Sequence, residues 1–385
     1  MAAQRGLMEG REDLAWPQIR WAAAGANRLP VARHIASRPG ELCWGYLPGP
    51  GDAPVAAVRP GEVFSLDTVS HEGMLEDQGS DPVAFFGRYG VAADQVLDEP
   101  RRLAAAGREG ADGLGPHVVT GPIEVEGARV GDCLAVDVLG FEYRAPYGVV
   151  SSRHGRGAVK RFPPAGAGPF SAFCHLDAAN PAQVVMPLAG GAGGGAGRSL
   201  VFPAAPFAGI LGVASPQGRR HSVPPGPAGG NLDIALLGAG ATLYLPVLAD
   251  GAGLHVGDPH FAQGDGEVAL TALEAPLRVY LRLRLAAGGA AGWWRDLLPF
   301  AETRDFWVAI GLDRDLDAAV EACAERAAGF LGRRFALSLG QAVAYLSAAA
   351  DFRVSQVVDL VKGVHCVIRK ADFAALPPPR NVTKS

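Results

Sequence analysis

Ten consecutive residues, Asp258-Pro259-His260-Phe261-Ala262-Gln263-Gly264-Asp265-Gly266-Glu267, carry the densest set of ligand and proton-transfer groups in the chain. Asp258 and His260 are two positions apart, so an extended backbone turns both side chains the same way. Pro259 between them restricts φ and stiffens their presentation. Asp265 and Glu267 repeat the i, i+2 spacing, with glycines permitting tight turns between. One imidazole with several carboxylates is a donor set that Zn²⁺ accepts. A harder cation such as Ca²⁺ would lean on the carboxylates and on Gln263. The structural alternative, a hairpin loop built from glycines and acids, explains one Gly-Asp pair better than five polar residues in ten.

Other segments offer smaller groups. Gly229-Gly230-Asn231-Leu232-Asp233 follows a proline-rich loop; its paired glycines let backbone approach a ligand closely, and Asn231 and Asp233 share a face. An Asx-type turn is the competing reading there. His117, in Gly115-Pro116-His117, reads alone as a polar strand entry. His154, in Ser151-Ser152-Arg153-His154-Gly155-Arg156, lies in a basic loop able to hold a carbonyl or carboxylate. His71 follows the strand bearing Asp67 and reads as structural, with an extra ligand as the other possibility. Cys174 beside His175 and Cys366 beside His365 are not nucleophile–base pairs, because neighbours along a strand point apart.

The elements that must position these groups are mostly strands. In Pro276–Leu285, Leu277, Val279, Leu281, Leu283 and Leu285 fall on one face, and Arg278, Tyr280, Arg282 and Arg284 on the other, toward solvent or an interface. Gly-acid steps after Pro60, Val130 and Val256 suit turns that open strands. Thr242–Val247 reads as a strand with Pro246 at an edge or bulge. The glycine tract 190–197 loosely matches a dinucleotide fingerprint, but strand-like Ser199–Pro203 follows where a helix would be needed. Helices come late: one over 316–331 capped by Asp313 or Asp315, and one from Ser338, where Ser338 and Gln341 form a capping box. Strand-like alternation returns over 354–370. The fold class is mainly β (α+β), sandwich- or barrel-like, with a small C-terminal helical segment. The expected layout is an N-terminal extension (1–28), a β-rich body (29–285), a helical segment with a returning strand (286–370) and a mobile tail (371–385).

Composition narrows the function. The 385 residues carry a formal net charge of −4 and no basic stripe, which argues against nucleic acid. No run of about 18 apolar residues suggests a membrane span, and residues 1–16 lack a signal peptide's apolar stretch. Five separated cysteines with no CxxC read as reduced thiols in the cytoplasm.

Several stretches taken together resemble the acetamidase/formamidase family: 117–132, Pro206-Phe-Ala-Gly-Ile-Leu-Gly-Val-Ala214, 229–233, 256–267, the loop 147–157 and the strand 351–359. The resemblance runs in family order over about 29–370. It implies a β-rich amidohydrolase fold, a divalent metal (zinc first, calcium second), release of ammonia from short carboxamides, and metal and active-site positions at Asp233, His260 and their neighbours. Amide hydrolysis needs a nucleophile, oxyanion stabilisation and a proton for the leaving amine, and a divalent cation supplies the first two. Asp233, Asp258 and His260 are then the candidate ligands and Glu267 the general base. Asn231, His117 and Gln263 are candidates to hydrogen-bond the amide or oxyanion, with His154 behind them. The competing class is a non-catalytic β-rich binding protein with a structural metal, fully coordinated by protein and needing no base. A serine amidase would want a Ser–Ser–Lys relay, which Ser151-Ser152-Arg153 does not supply. The Arg/Tyr face of 278–284 and Trp293-Trp294 are the surfaces where a homo-oligomer would pair.

Overall fold

The computed structural model describes residues 29–108, 114–188, 198–286 and 295–376. The extension 1–28, the whole glycine tract 190–197 and Trp293-Trp294 lie outside the described residues. Among the described residues strands dominate, in four open sheets. The largest has nine strands in the order Arg33–Ile35, Val63–Asp67, Leu277–Ala286, Cys133–Tyr143, Thr242–Pro246, Phe300–Glu302, Phe306–Asp313, Lys362–Arg369, Asp351–Gln356. A six-stranded sheet runs Gly229–Asn231, Phe207–Gly212, Leu254–His260, Val118–Val125, Leu42–Trp44, with Ala56–Val58 paired to Val118–Val125. A four-stranded sheet joins Ser199–Pro203, Gln183–Pro187, Phe170–Leu176 and Tyr147–Ser152, and Arg220–His221 pairs with Tyr46–Leu47.

The alternation in Leu277–Ala286 explains its place at the centre of the nine-stranded sheet. Leu277, Val279, Leu281 and Leu283 are fully buried and share one apolar core with Leu211 and Val256 of the six-stranded sheet. The opposite face makes ion pairs within the chain, while Arg282 and Arg284 stay exposed as the alternation predicts. Arg278 pairs with Asp67 at 2.7 Å, Arg282 and Arg284 converge on Asp137, and Tyr280 bonds Glu142. Pro246 is on no sheet edge: its strand lies between Cys133–Tyr143 and Phe300–Glu302. Pairing to the latter ends at Tyr244, so the missing N–H leaves no gap.

The late helices are Leu316–Phe335, capped by Asp315 accepting from Asp317 and Ala318 N–H, and Leu339–Ala349, opened by the Ser338–Gln341 box. They pack Ala319, Cys323, Phe330 and Leu346 onto Phe300, Ala309 and Ile368. Contact is close at Gly311, where a Cβ would stand 2.1 Å from the Ala319 carbonyl oxygen. Two short helices, Pro82–Gly87 and Asp98–Ala106, come earlier than the sequence reading places any helix. Of the expected tail 371–385, residues 371–376 are described: Lys370–Phe373 forms a helical turn and Phe373 is buried in the C-terminal core, while 377–385 lie outside the described residues.

Candidate functional site

Gly209 stands at the focus of the polar cluster. It lies mid-strand in Phe207–Gly212, and its carbonyl accepts from the N–H groups of Leu232 and Asp233. A Cβ there would lie 2.3 Å from Asp233 Oδ1, 2.5 Å from Asp258 Oδ2 and 2.8 Å from His260 Cε1. Three side chains from two other segments therefore converge over one bare backbone position.

The segment carrying Asp258 and His260 is the buried strand Leu254–His260, not the loop its polar content suggests. Asp258 interrupts extended geometry with φ 52°, Asp233 has φ 49° and Glu267 φ 45°. Left-handed backbone at non-glycine residues costs about 1–3 kcal/mol each and clusters where function requires it. It also explains why the i, i+2 pair 265/267 splits. Glu267 turns inward, while Asp265 is exposed, 4.0 Å from Arg353.

Within the cluster His260 Nε2 lies 3.1 Å from Asp258 Oδ2 and 3.0 Å from Glu274 Oε1. Glu274 arrives because Leu273–Ala275 is zipped along Pro259–Phe261, with Ala275 N–H bonding the Pro259 carbonyl at 2.8 Å. On the other side of Asp258, His117 Nε2 is 3.8 Å from Oδ1, and the rings of His71 and His117 meet edge-on at 5.4 Å. Ligand atoms of Asp233, His260 and Glu267 all lie within 4.8 Å of one another, as do those of Asp258, His260 and Glu274, and those of His71, His117 and Asp258.

All these residues are buried, Glu267 and His117 being the most open at 7%. Both oxygens of Asp233, Asp258 Oδ1, Glu267 Oε2, Glu274 Oε2, His71 Nδ1 and both nitrogens of His260 have no hydrogen-bond partner. Buried polar atoms are ordinarily paired, because leaving one unmade costs about 1–3 kcal/mol and more for a charge. Carboxyl and imidazole donors left open toward a shared centre are the donor chemistry a divalent cation takes, so the residues fit a metal.

Burial, then the Asp258 charge, lifts the Asp233 carboxyl to about 7. Burial likewise raises Glu267, Glu274 and Asp359, reinforced by neighbouring carboxylates. For Asp258, burial is outweighed by His260 and His117, which hold it ionised. Burial opposes charge on His260 too, yet Glu274 and Asp258 together keep it protonated. His71 and His117 are held neutral, chiefly by burial.

The remaining expected residues take varied places. Gln263 Nε2 donates to the backbone carbonyls of Asp233 (2.7 Å) and Ser355 (3.1 Å), bracing the site and leaving its own oxygen open. Asn231 is buried with Oδ1 unpaired, two residues before Asp233. The structure does not bring His154 to the cluster: the residue is exposed and its Nδ1 lies 2.8 Å from the Pro163 carbonyl. Ser151 Oγ bonds Glu72, Ser171 and Gln78 Nε2, and none of these partners is an imidazole or an amine that could act as its base. His71 joins the cluster rather than standing apart. Glu274 and Asp359 are the residues sequence reasoning missed. The only sequence signal for Glu274 is a lone acid inside the apolar run Ala272–Leu277.

The family model described as "Acetamidase/Formamidase family" matches residues 210–370, a stretch that includes Asp233, Asp258, His260, Glu267, Glu274 and Asp359. A solved acetamidase from Bacillus halodurans is 26% identical, superposes with a TM-score of 0.68, and the match covers 89% of this chain and 99% of that one. The chain is thus similar to the acetamidase/formamidase family in sequence over 210–370 and in fold over most of its length. Among curated proteins of that name, a formamidase of Methylophilus methylotrophus is 49% identical over 55 residues, 14% of this chain and 13% of the relative. An acetamidase of Mycolicibacterium smegmatis is 28% identical over 208 residues, 40% of this chain and 49% of the relative. The aligned stretches thus span half or less of these two curated acetamidase/formamidase relatives.

Proposed function

We propose that the protein is a metal-dependent amide hydrolase that converts small carboxamides to carboxylate and ammonia. The observation that carries this reading is the convergence of Asp233, Asp258, His260, Glu267 and Glu274 in a buried centre whose donor atoms lack partners. Similarity to the acetamidase/formamidase family supports the reaction class, and the burial supports a small substrate, since none of these five residues is more than 7% exposed. In this reading Asp233, Asp258 and His260 hold the cation, with Glu274 added from the structure; zinc suits the mixed nitrogen and oxygen set. The chemistry such a cation supplies when bound is polarisation of the amide carbonyl and a water of lowered pKa. Glu267, turned inward by its left-handed backbone, takes the proton of the attacking water and returns it to the departing nitrogen. His117 Nε2 and the free amide oxygens of Asn231 and Gln263 orient the carboxamide. A sandwich-like body over 29–285, a cytoplasmic location, consistent with five buried free cysteines, and a homo-oligomer complete the proposal.

Ammonia release from formamide, acetamide and longer amides tests the reaction, and chelation followed by metal add-back tests the cation. Glu267→Gln should lower kcat by about 10²–10⁴ with the fold retained. Near-normal kcat in that variant removes Glu267 from the mechanism. A non-catalytic protein with a structural metal would release no ammonia from any amide in the panel.

A further inference from the structure

We propose that the protein pairs with a second copy of itself, about a two-fold axis, through the helix Leu339–Ala349 and the outer edge of the strand Asp351–Gln356. The inference rests on the homo-oligomer reading above and assigns its surface. Residues 335–350 contain no Asp, Glu, Lys or Arg. Ala342 and Leu346 of the helix enter the C-terminal core. Its other side is open: Leu339 is 72% exposed, Val343 is 51% exposed, and Gly340, Ala344, Ser347 and Ala348 are exposed beside them. A surface helix ordinarily turns charged residues outward, and one that is apolar all round belongs in an interior. A second protein surface supplies that interior. Gly340, Ala344 and Ala348 recur every four residues on one face, and a Cβ on Gly340 would meet nothing within 4 Å. The stripe is symmetric about Ala344, so an antiparallel copy sets Gly340 against Ala348, as a two-fold contact requires.

The adjoining strand identifies the occupant as another copy. Asp351–Gln356 is an edge strand of the nine-stranded sheet. Gly266 bridges to Gln356 at its far end, while Asp351, Phe352 and Arg353 are exposed. Phe352 stands opposite Cys366, which lies in the core beneath the helices, so its side chain is on the helix side of the sheet. Asp351 and Arg353 fall on the other side. In an antiparallel copy paired about Phe352, each Asp351 faces the partner's Arg353. A parallel copy would set Asp351 against Asp351 and Arg353 against Arg353, and like charges directly opposite are destabilising. Within one chain Arg353 reaches Asp351 at 3.6 Å and Asp265 at 4.0 Å, too long for hydrogen bonds, which leaves it able to pair across the axis. The charge order and the helix stripe thus select the same antiparallel arrangement.

The test is analytical ultracentrifugation of the full-length protein over a range of concentrations, with circular dichroism to show that each variant is folded. The wild type should sediment as a dimer or a multiple of one. Val343→Glu and Asp351→Arg should each weaken association by about 100-fold or more, and adding Arg353→Asp to Asp351→Arg should restore it. Leu200→Glu, at a residue 53% exposed on a different edge strand, should leave association unchanged. A wild type that is monomeric throughout overturns both this surface and the homo-oligomer reading, and leaves residues 1–28 or 377–385 of the same chain to cover the helix. An oligomer that resists Val343→Glu and Asp351→Arg, or that Leu200→Glu dissociates instead, overturns the surface alone. Failure of the double exchange to restore association overturns the antiparallel pairing.

Discussion

Gly209 makes the most exacting residue-scale prediction, because Asp233, Asp258 and His260, the proposed ligands, converge on the space above its Cα. In Gly209→Ala the methyl would stand 2.3 Å from Asp233 Oδ1 and 2.5 Å from Asp258 Oδ2, so the carboxylates must part. The variant should fold and lose bound metal; metal content after dialysis checks this, and wild-type occupancy would place the cation elsewhere. The same scale explains what the sequence discloses. Asp258, His260 and Glu267 are legible because polar residues crowd a stretch where a buried strand should be apolar. Glu274 is not, because a single acid between Leu273 and Ala275 carries no spacing signal until the chain folds it against His260. His71 stands alone in sequence and joins His117 only through tertiary packing. His154 has the right residue type in a loop that leads to the surface.

Between elements, the C-terminal strand Asp351–Gln356 holds the loop that carries Glu267. Gly266 N–H bonds the Ser355 carbonyl at 3.1 Å, Val357 N–H bonds the Gly266 carbonyl at 3.2 Å, and Gln263 ties Asp233 to Ser355. Gln263→Glu replaces the donor facing two carbonyls with an acceptor. It should cost about 1–3 kcal/mol in stability, read as a lowered Tm, and reduce kcat by loosening Glu267. An unchanged Tm and kcat would show that the brace is idle. The strands and late helices were readable from period-two alternation and from caps at Asp315 and Ser338. Pro82–Gly87 is only six residues, too short to display helical periodicity. The cross-tie from 351–357 to 263–267 involves backbone groups, on which side-chain patterning is silent.

At the scale of the whole molecule, the charge balance of the interior sets its response to pH. His365, bonded to Ser355 Oγ at 2.8 Å, is held neutral by burial and then by Arg353, with its pKa lowered from 6.5 to about 4. Between those values the unfolded chain binds a proton that the folded chain refuses, so this residue's penalty grows as pH falls from 6.5 toward 4 and is absent above 6.5. Tm measured across that window should fall more steeply in the wild type than in His365→Gln; parallel curves would contradict the assignment. The buried carboxyls of the centre, Glu72, Asp233, Asp258, Glu267, Glu274 and Asp359, outnumber its imidazoles, His71, His117 and His260. A bound cation offsets that excess, so metal binding should raise Tm as well as activity.

The most direct test of the central claim is the rate of ammonia release from a small carboxamide, measured on protein samples graded from metal-free to metal-saturated. The account predicts a rate that rises with occupancy from a metal-free baseline near zero. Full turnover by protein shown to contain no metal, or no turnover by the saturated protein on any small amide, would contradict it.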